Sequence, residues 1–594
     1  MYPHPLDQLD PLDPLTAHEG ALRRFSAAVR DNSDWTTKIL DKALFVRWVS
    51  EAEENDCKLR KGINVAVWDA EDVKYVYGEL INSYKPYVER MRAEGCDIEP
   101  DIDGVWRTDN LVDSALLGEF ADAVNATLEN IPEDQKDWRS WSGGRVLDLV
   151  NPSFWPLMYG KSTHVDTGKP ICGYSPQDYE PLVKPRLETT TTIGGPSDGP
   201  SETLVKTTRS RHWSIGRHFC WLPSEFEIFP SGETKIRSYI NNLSLPEQKK
   251  QLYPLIERIF SRFVPLFNLV LADLKGGRQH HQRVGKLNGI LQEDNLYGHG
   301  VISVEKHQKI WRGILDDFSN GRDSSESLRA TTSRCYEPIS PNPSDQYFLW
   351  DVGSIIPNSE WSPPLISEDL KLEGKTVKVI VKMTNIHLTP RYPSYEGGDW
   401  HIEGTMAERI VAVGICYYDQ ENVEDSGLHF RRVVNLTTDT NYPHPTNLEA
   451  LYDMKRRSVK LKTALQSLGT VKMKMGRAIA FPNVFQCGAE PFCLVDPTKP
   501  GYRKALSFLL CDPEVPENTI PSTKIVAPQQ PAFRGDFEDT LRVGRLGNLP
   551  EDIFLMIMEY LPPPVSLEDA KRYKERMISR LRAANRSVPG LRIK

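Results

Sequence analysis

His401 and Glu403 stand two residues apart after a Gly-Gly turn in YEGGDWHIEGT (395–405), just ahead of the β-like run ERIVAVGICYY (408–418). An imidazole and a carboxylate at i and i+2 of an extended segment project from one face. A strand offers two arms of a metal site in this way. The 2-His-1-carboxylate triad holds Fe(II) on three corners of an octahedron and leaves three for co-substrate and oxygen. The third ligand must come from elsewhere, and no histidine lies beyond His444. Cys487 is one candidate; a thiolate is softer than imidazole and suits Zn or Cu(I) better than Fe(II). A free cysteine is also among the most buried residue types, so Cys487 could simply fill space. His387 and His429 are further candidates, although histidines in such positions more often serve the surface or the packing. An isolated HxE occurs often by chance.

A 2-oxoglutarate co-substrate would need a second anchor. Its distal carboxylate calls for a planar, permanently charged fork, which arginine supplies. Arg503 in TKPGYRKALSFLL leads into a late strand and is the first candidate, with Lys504 second. The bland alternative for either is a solvated charge at a strand entrance. Tyr395, Trp400, Tyr417, Asn483 and Gln486 would line the pocket, as could Tyr418, although core packing is the commoner duty of aromatic side chains. His280-His281 reads as part of a polar loop, and the basic run KRRSVKLK (455–462) as a solvated face.

These groups need a rigid frame, and the pattern changes along the chain to provide one. From about 346, KTVKVIVKM, ERIVAVGICYY, HFRRVVNL, GRAIAFPNVF and RKALSFLLC are short β-branched or aromatic runs separated by turn residues, which predicts an all-β sandwich or barrel. Upstream, EQKKQLYPLIERIFSRFVPLFNLVLADLK carries apolar residues at helical spacing, with Pro254 suggesting a start and Pro265 a break or kink. Residues 189–211 read as a surface loop, and 275–345 as an insertion or linker. The tail is helical, and Ser566 three residues before Asp569 is a capping-box pattern. The 594 residues carry a formal charge of −8, which is mild for this length, so nothing argues for a nucleic-acid surface. The N-terminus has no signal-peptide pattern and no apolar stretch is long enough to span a bilayer. Nine cysteines without a CxxC pair read as reduced thiols, so an intracellular location, cytoplasmic or nuclear, is expected.

Several long blocks resemble the fungal domain-of-unknown-function family 4246. They are NIHLTPRYPSYEGGDWHIEGTMAERIVAVGICYYDQENVEDSGLHFR, GRAIAFPNVFQCGAEPFCLVDPTKPGYRKALSFLLCDP, IPSTKIVAPQQ, WLPSEFEIFPSGETKIRSYINNL, VWRTDNLVDSALLGEFADAVNATLENIPEDQKDW, VLDLVNPSFWPLMYG and the SLEDAKRYKERM tail, within about 60–583. That family is similar to Fe(II)/2-oxoglutarate oxygenases in its WHxEG block and a later FPNxxQH block. The resemblance implies Fe(II) and 2-oxoglutarate as cofactors, held by His401, Glu403 and Arg503. This chain departs from it where Gln-His becomes Gln486-Cys487, GHRK becomes Gly501-Tyr502-Arg503-Lys504, and LVHPS becomes LVNPS with Asn151.

The expected fold is α+β: a double-stranded β-helix (jelly-roll or cupin-like) core with a large helical N-terminal region and a helical C-terminal tail. The expected organisation is 1–225 mixed and mainly helical, 226–345 a helical segment plus inserted loop, 346–530 the barrel, and 540–594 a packed tail. Two functions follow. One is an Fe(II)/2-oxoglutarate oxygenase-like protein of unknown substrate, with activity altered or lost through Cys487; the other is a non-catalytic binding or scaffold member that keeps the barrel. An adaptor acting through LGNLPEDIFLMIMEYL, which resembles an F-box, is a third reading.

Overall fold

The computed structural model describes residues 1–5, 14–59, 63–65, 70–110, 112–172, 218–277, 281–284, 301–322, 347–349, 356, 358–435, 452, 463–517, 519–531, 538, 542, 549–559 and 564–587. The expected loop at 189–211 and the basic run at 455–462 lie outside them.

The fold is α+β with antiparallel sheets. Ten strands matter to the site: β1 (Trp106–Thr108), β2 (Val146–Val150), β3 (Ser224–Ile228), β4 (Thr376–Leu388), β5 (Ile410–Glu421), β6 (Ser426–Asn435), β7 (Thr463–Met473), β8 (Ala478–Pro482), β9 (Gln486–Ala489) and β10 (Gly501–Cys511). The large sheet runs β1-β8-β5-β10-β4-β2, and β3 pairs with the first residues of β4. The small sheet runs β7-β6-β9, and an isolated bridge from Cys487 to His401 extends it by one more segment.

Alternation along the strands gives the large sheet two apolar faces. On β10, Leu506, Phe508 and Leu510 turn to one side, while Ala505, Leu509 and Cys511 turn to the other. The first side packs on helix α1 (Pro246–Gly276), where Phe260 and Phe263 meet Phe508 with ring centroids 5.1 and 5.3 Å apart. Gly414 allows this approach, since a Cβ there would lie 2.6 Å from Phe263 Cδ1. The second side faces the small sheet, with Phe430 and Phe481 in edge contact at 4.8 Å. That space between the sheets is the interior of the β core.

Four features differ from the expectations. Helix α1 runs unbroken through Pro254 and Pro265. Burial of Leu252, Ile256, Ile259, Phe260, Phe263 and Phe267 outweighs a cost of about 3 kcal/mol per internal proline. The expected linker at 275–345 contains helix α2 (Val304–Ser319), which buries Trp311, Ile314 and Leu315 in the main core. Within RQHHQR, His280 lies outside the described residues, while His281 is mostly buried with Nε2 2.7 Å from the Ser359 carbonyl. Its neighbour Arg283 is fully buried among Glu19, Glu79 and Asp103. The residue 225/226 boundary falls inside β3, and β1, β2 and β3 all continue the sheet built by 376–511. The tail helices are Glu551–Glu559 (α3) and Leu567–Ser587 (α4). Ser566 caps the latter, accepting from the Asp569 N–H at 3.1 Å.

Candidate functional site

His401 is held by backbone bonds in both directions with Cys487, each 3.0 Å long. Residues directly opposite across such a bridge share a face, so Cys487 sits beside the imidazole. Glu403 follows in a bend rather than on a continuing strand. Buried Asn483 sets that bend: its amide accepts from Glu403 N–H at 2.9 Å and donates to the Glu403 and Ile410 carbonyls at 2.9 Å each. The result brings His401 Nε2 to 3.4 Å from Glu403 Oε1.

A fourth residue joins them. Lys382, near the middle of β4, places Nζ 2.8 Å from Glu403 Oε1. Ile380 belongs to the interior face of that strand, and Lys382 is two residues on, so alternation directs it inward. Burial pushes the Glu403 carboxyl up, but the Lys382 ammonium and the His401 ring outweigh it and hold the group well below the usual carboxylate range. Burial, with help from the Glu403 carboxylate, pushes the Cys487 thiol up to about 12. Cys487 is therefore a neutral thiol at physiological pH, packed in the apolar core.

This donor set does not fit a 2-His-1-carboxylate iron centre. The Glu403 carboxylate is engaged by the Lys382 ammonium at 2.8 Å, and the neighbouring Cys487 sulfur is a neutral thiol, so neither offers the free anionic donor an iron centre needs. Among the described residues no group of three or more His, Cys, Asp and Glu side chains could hold a metal. His387 and His429 are elsewhere. His387 stacks edge-on against Trp138, and His429 Nε2 pairs with Glu490 at 3.0 Å.

Arg503 faces the interior from β10, two residues from Ala505, and is 2% exposed. Its Nε donates to Gln420 Oε1 at 2.9 Å, and its other nitrogens donate to Ser426 Oγ and the Glu424 carbonyl. The guanidinium lies 4.1 Å over the Phe492 ring and 5.0 Å over Tyr417. Burial pulls its pKa below the usual range. No carboxylate lies within 4 Å of it among the described residues. Lys504, one residue on, points to the opposite face and pairs with Glu129 at 3.1 Å and Asp419 at 2.9 Å.

The expected lining residues separate into groups. Tyr417 and Tyr395 are buried near Arg503, with Tyr395 packed on Phe492 at 5.3 Å. Asn483 acts on the backbone. Trp400 and Gln486 alternate with His401 and Cys487, so they lie on the outer face of the small sheet. Tyr418 is on the α1 side, donating to Asn385 Oδ1 at 3.1 Å. Lys382 went unnoticed in the sequence, although its position on the Ile380 face of KVIVKM is a usable signal.

Solved structures with partial likeness include the Fe(II)/(alpha)ketoglutarate-dependent dioxygenase TqaL, at 14% identity over 26% of this chain with a TM-score of 0.16. The match spans 51% of that structure, about half its length. EvdO2 from Micromonospora carbonacea var. aurantiaca complexed with 2-oxoglutarate is 14% identical over 24% of this chain and 56% of that one, with a TM-score of 0.13. Likeness at this level assigns no residue here a role. No curated protein matches the chain. Residues 1–51 match the family model for the N-terminal domain of DUF4246, a domain of unknown function. Residues 70–536 match the model described as protein of unknown function (DUF4246), and the chain belongs to that family.

Proposed function

We propose that this chain is a non-catalytic relative of the Fe(II)/2-oxoglutarate oxygenases that keeps the barrel as a binding or scaffold module. In chain order β4, the His401 segment, β5, β6, β7, β8, β9 and β10 are divided between two facing antiparallel sheets. This supports a double-stranded β-helix. The observation that supports the functional reading is the Lys382–Glu403 ion pair, which engages the carboxylate of the HxE pair beside the protonated Cys487 thiol. Retention of charge balance without a metal makes the interior self-sufficient.

The oxygenase reading draws on two features: His401 and Glu403 converge, and among the described residues Arg503 has no carboxylate partner. When bound, Fe(II) with 2-oxoglutarate would supply oxidation of a C–H bond. One experiment separates the readings. Wild type, Cys487→His and the double variant Lys382→Met/Cys487→His are titrated anaerobically with Fe(II) and then 2-oxoglutarate, following chelate absorbance. The non-catalytic reading expects no chelate in wild type and a gain in the double variant larger than in Cys487→His alone. Tight chelation by wild type overturns it.

A further inference from the structure

The outer face of the small sheet carries a cation that no carboxylate among the described residues balances. Arg431 on β6 pairs with Gln486 on β9, and both alternate away from the interior pair Phe430 and Cys487. Arg431 Nε donates to Gln486 Oε1 at 2.8 Å. Its guanidinium carbon lies 4.1 Å over the Trp400 ring. The indole packs against the strand at Gly488, where a Cβ would lie in van der Waals contact, 3.4 Å from Trp400 Cδ2.

Two unmet demands meet here. Among the described residues no carboxylate lies within 4 Å of Arg431, and the two Nη groups meet no acceptor. Gln486 is 1% exposed, and its buried Nε2 has no hydrogen-bond partner. A buried amide donor without an acceptor is unfavourable and rare in folded proteins. Glu490, close by on the same sheet, is engaged by His429, whose other ring nitrogen meets Thr470 Oγ1 at 2.5 Å. Burial with no opposing charge also pulls the Arg431 guanidinium down to about 10.

We propose that Arg431 and Gln486, on the Trp400 shelf, form a binding site for an oxyanion, a carboxylate or phosphate group of a ligand. A guanidinium fork whose Nη groups are free, next to an amide N–H, offers donors that match two oxygens of one anion. Stacking on Trp400 fixes the plane of the fork and restricts its rotamers, so less order is lost on binding. The site is on the opposite face of the sheet from His401, Glu403 and Cys487. It stands whether or not the interior binds iron.

The test is anion-dependent stabilisation of the full chain. Wild type, Arg431→Gln, Arg431→Lys and Gln486→Leu are titrated with sodium acetate or inorganic phosphate at constant ionic strength, and thermal unfolding is followed at each concentration. A ligand of the native state raises Tm in a saturable way. Wild type should show this for at least one anion; acetate alone identifies a carboxylate, phosphate alone a phosphoryl group. Arg431→Gln should weaken the apparent affinity by about tenfold or more, as expected on losing charge-assisted bonds. Arg431→Lys keeps the charge without the fork and should fall between the two. Absence of saturation in wild type overturns the site, and so does an equal response in Arg431→Gln. Gln486→Leu binding as tightly as wild type removes the amide from it.

Discussion

Lys382→Met tests whether the ion pair has taken over the interior. The substitution keeps the stem and removes the ammonium 2.8 Å from Glu403 Oε1, leaving a carboxylate that is 7% exposed. Breaking a fully buried pair from one side costs about 3–5 kcal/mol. Lys382 retains 23% exposure and His401 Nε2 stays 3.4 Å from the carboxylate, so both soften the loss. A destabilisation of about 2 kcal/mol at neutral pH follows. For a cooperative unit of 150–250 residues that is a fall in Tm of roughly 4–8 °C, measurable by calorimetry. The pH dependence carries the sign. The folded pKa of Glu403 in wild type is depressed, so its stabilisation is complete above the ordinary carboxylate value and is lost as pH falls through the lowered one. In the variant, burial without the ammonium disfavours the charged form, and acidification relieves that penalty. The gap between wild type and variant should therefore be widest near pH 7, narrow as pH falls to about 4, and close only once pH passes the lowered pKa of wild-type Glu403. A variant as stable as wild type at pH 7, or a gap unchanged between pH 7 and pH 4, refutes the reasoning.

Two more outcomes are expected. Asn483→Ala removes one acceptor and two donations that hold the Glu403 bend at a fully buried position, so stability should fall by about 2–4 kcal/mol, with thermal unfolding as the check. Cys487, buried and held up near 12, should resist iodoacetamide in the native chain at pH 8 while exposed Cys172 and Cys493 react, as peptide mass spectrometry would show; it should label only after unfolding.

The local chemistry was readable from the chain because it depends on neighbours in sequence. The Gly-Gly turn is an example. Gly397 has φ +93° and passes Ala489 so closely that a Cβ would lie 2.7 Å from its carbonyl oxygen, which only glycine allows. His401 and Glu403 do converge, but through a bend pinned by Asn483 rather than by strand alternation. The opposite facings of Arg503 and Lys504 follow from period-two alternation. Lys382 could not be paired with Glu403 in advance, since their meeting depends on which strands face each other across the interior. The packing of α2 was hidden for a similar reason: its apolar residues find their partners in segments far away in the chain.

The edge of β4 has a consequence for synthesis. Val146–Val150 pairs with Ile386–Met383, so β2 is made about 240 residues before its partner strand is complete. At about 5–20 residues per second, the nascent chain carries that unpaired edge for roughly 12–48 s. Ribosome-bound fragments ending before Leu388 should accordingly recruit chaperones, and the first half of the chain expressed alone should aggregate.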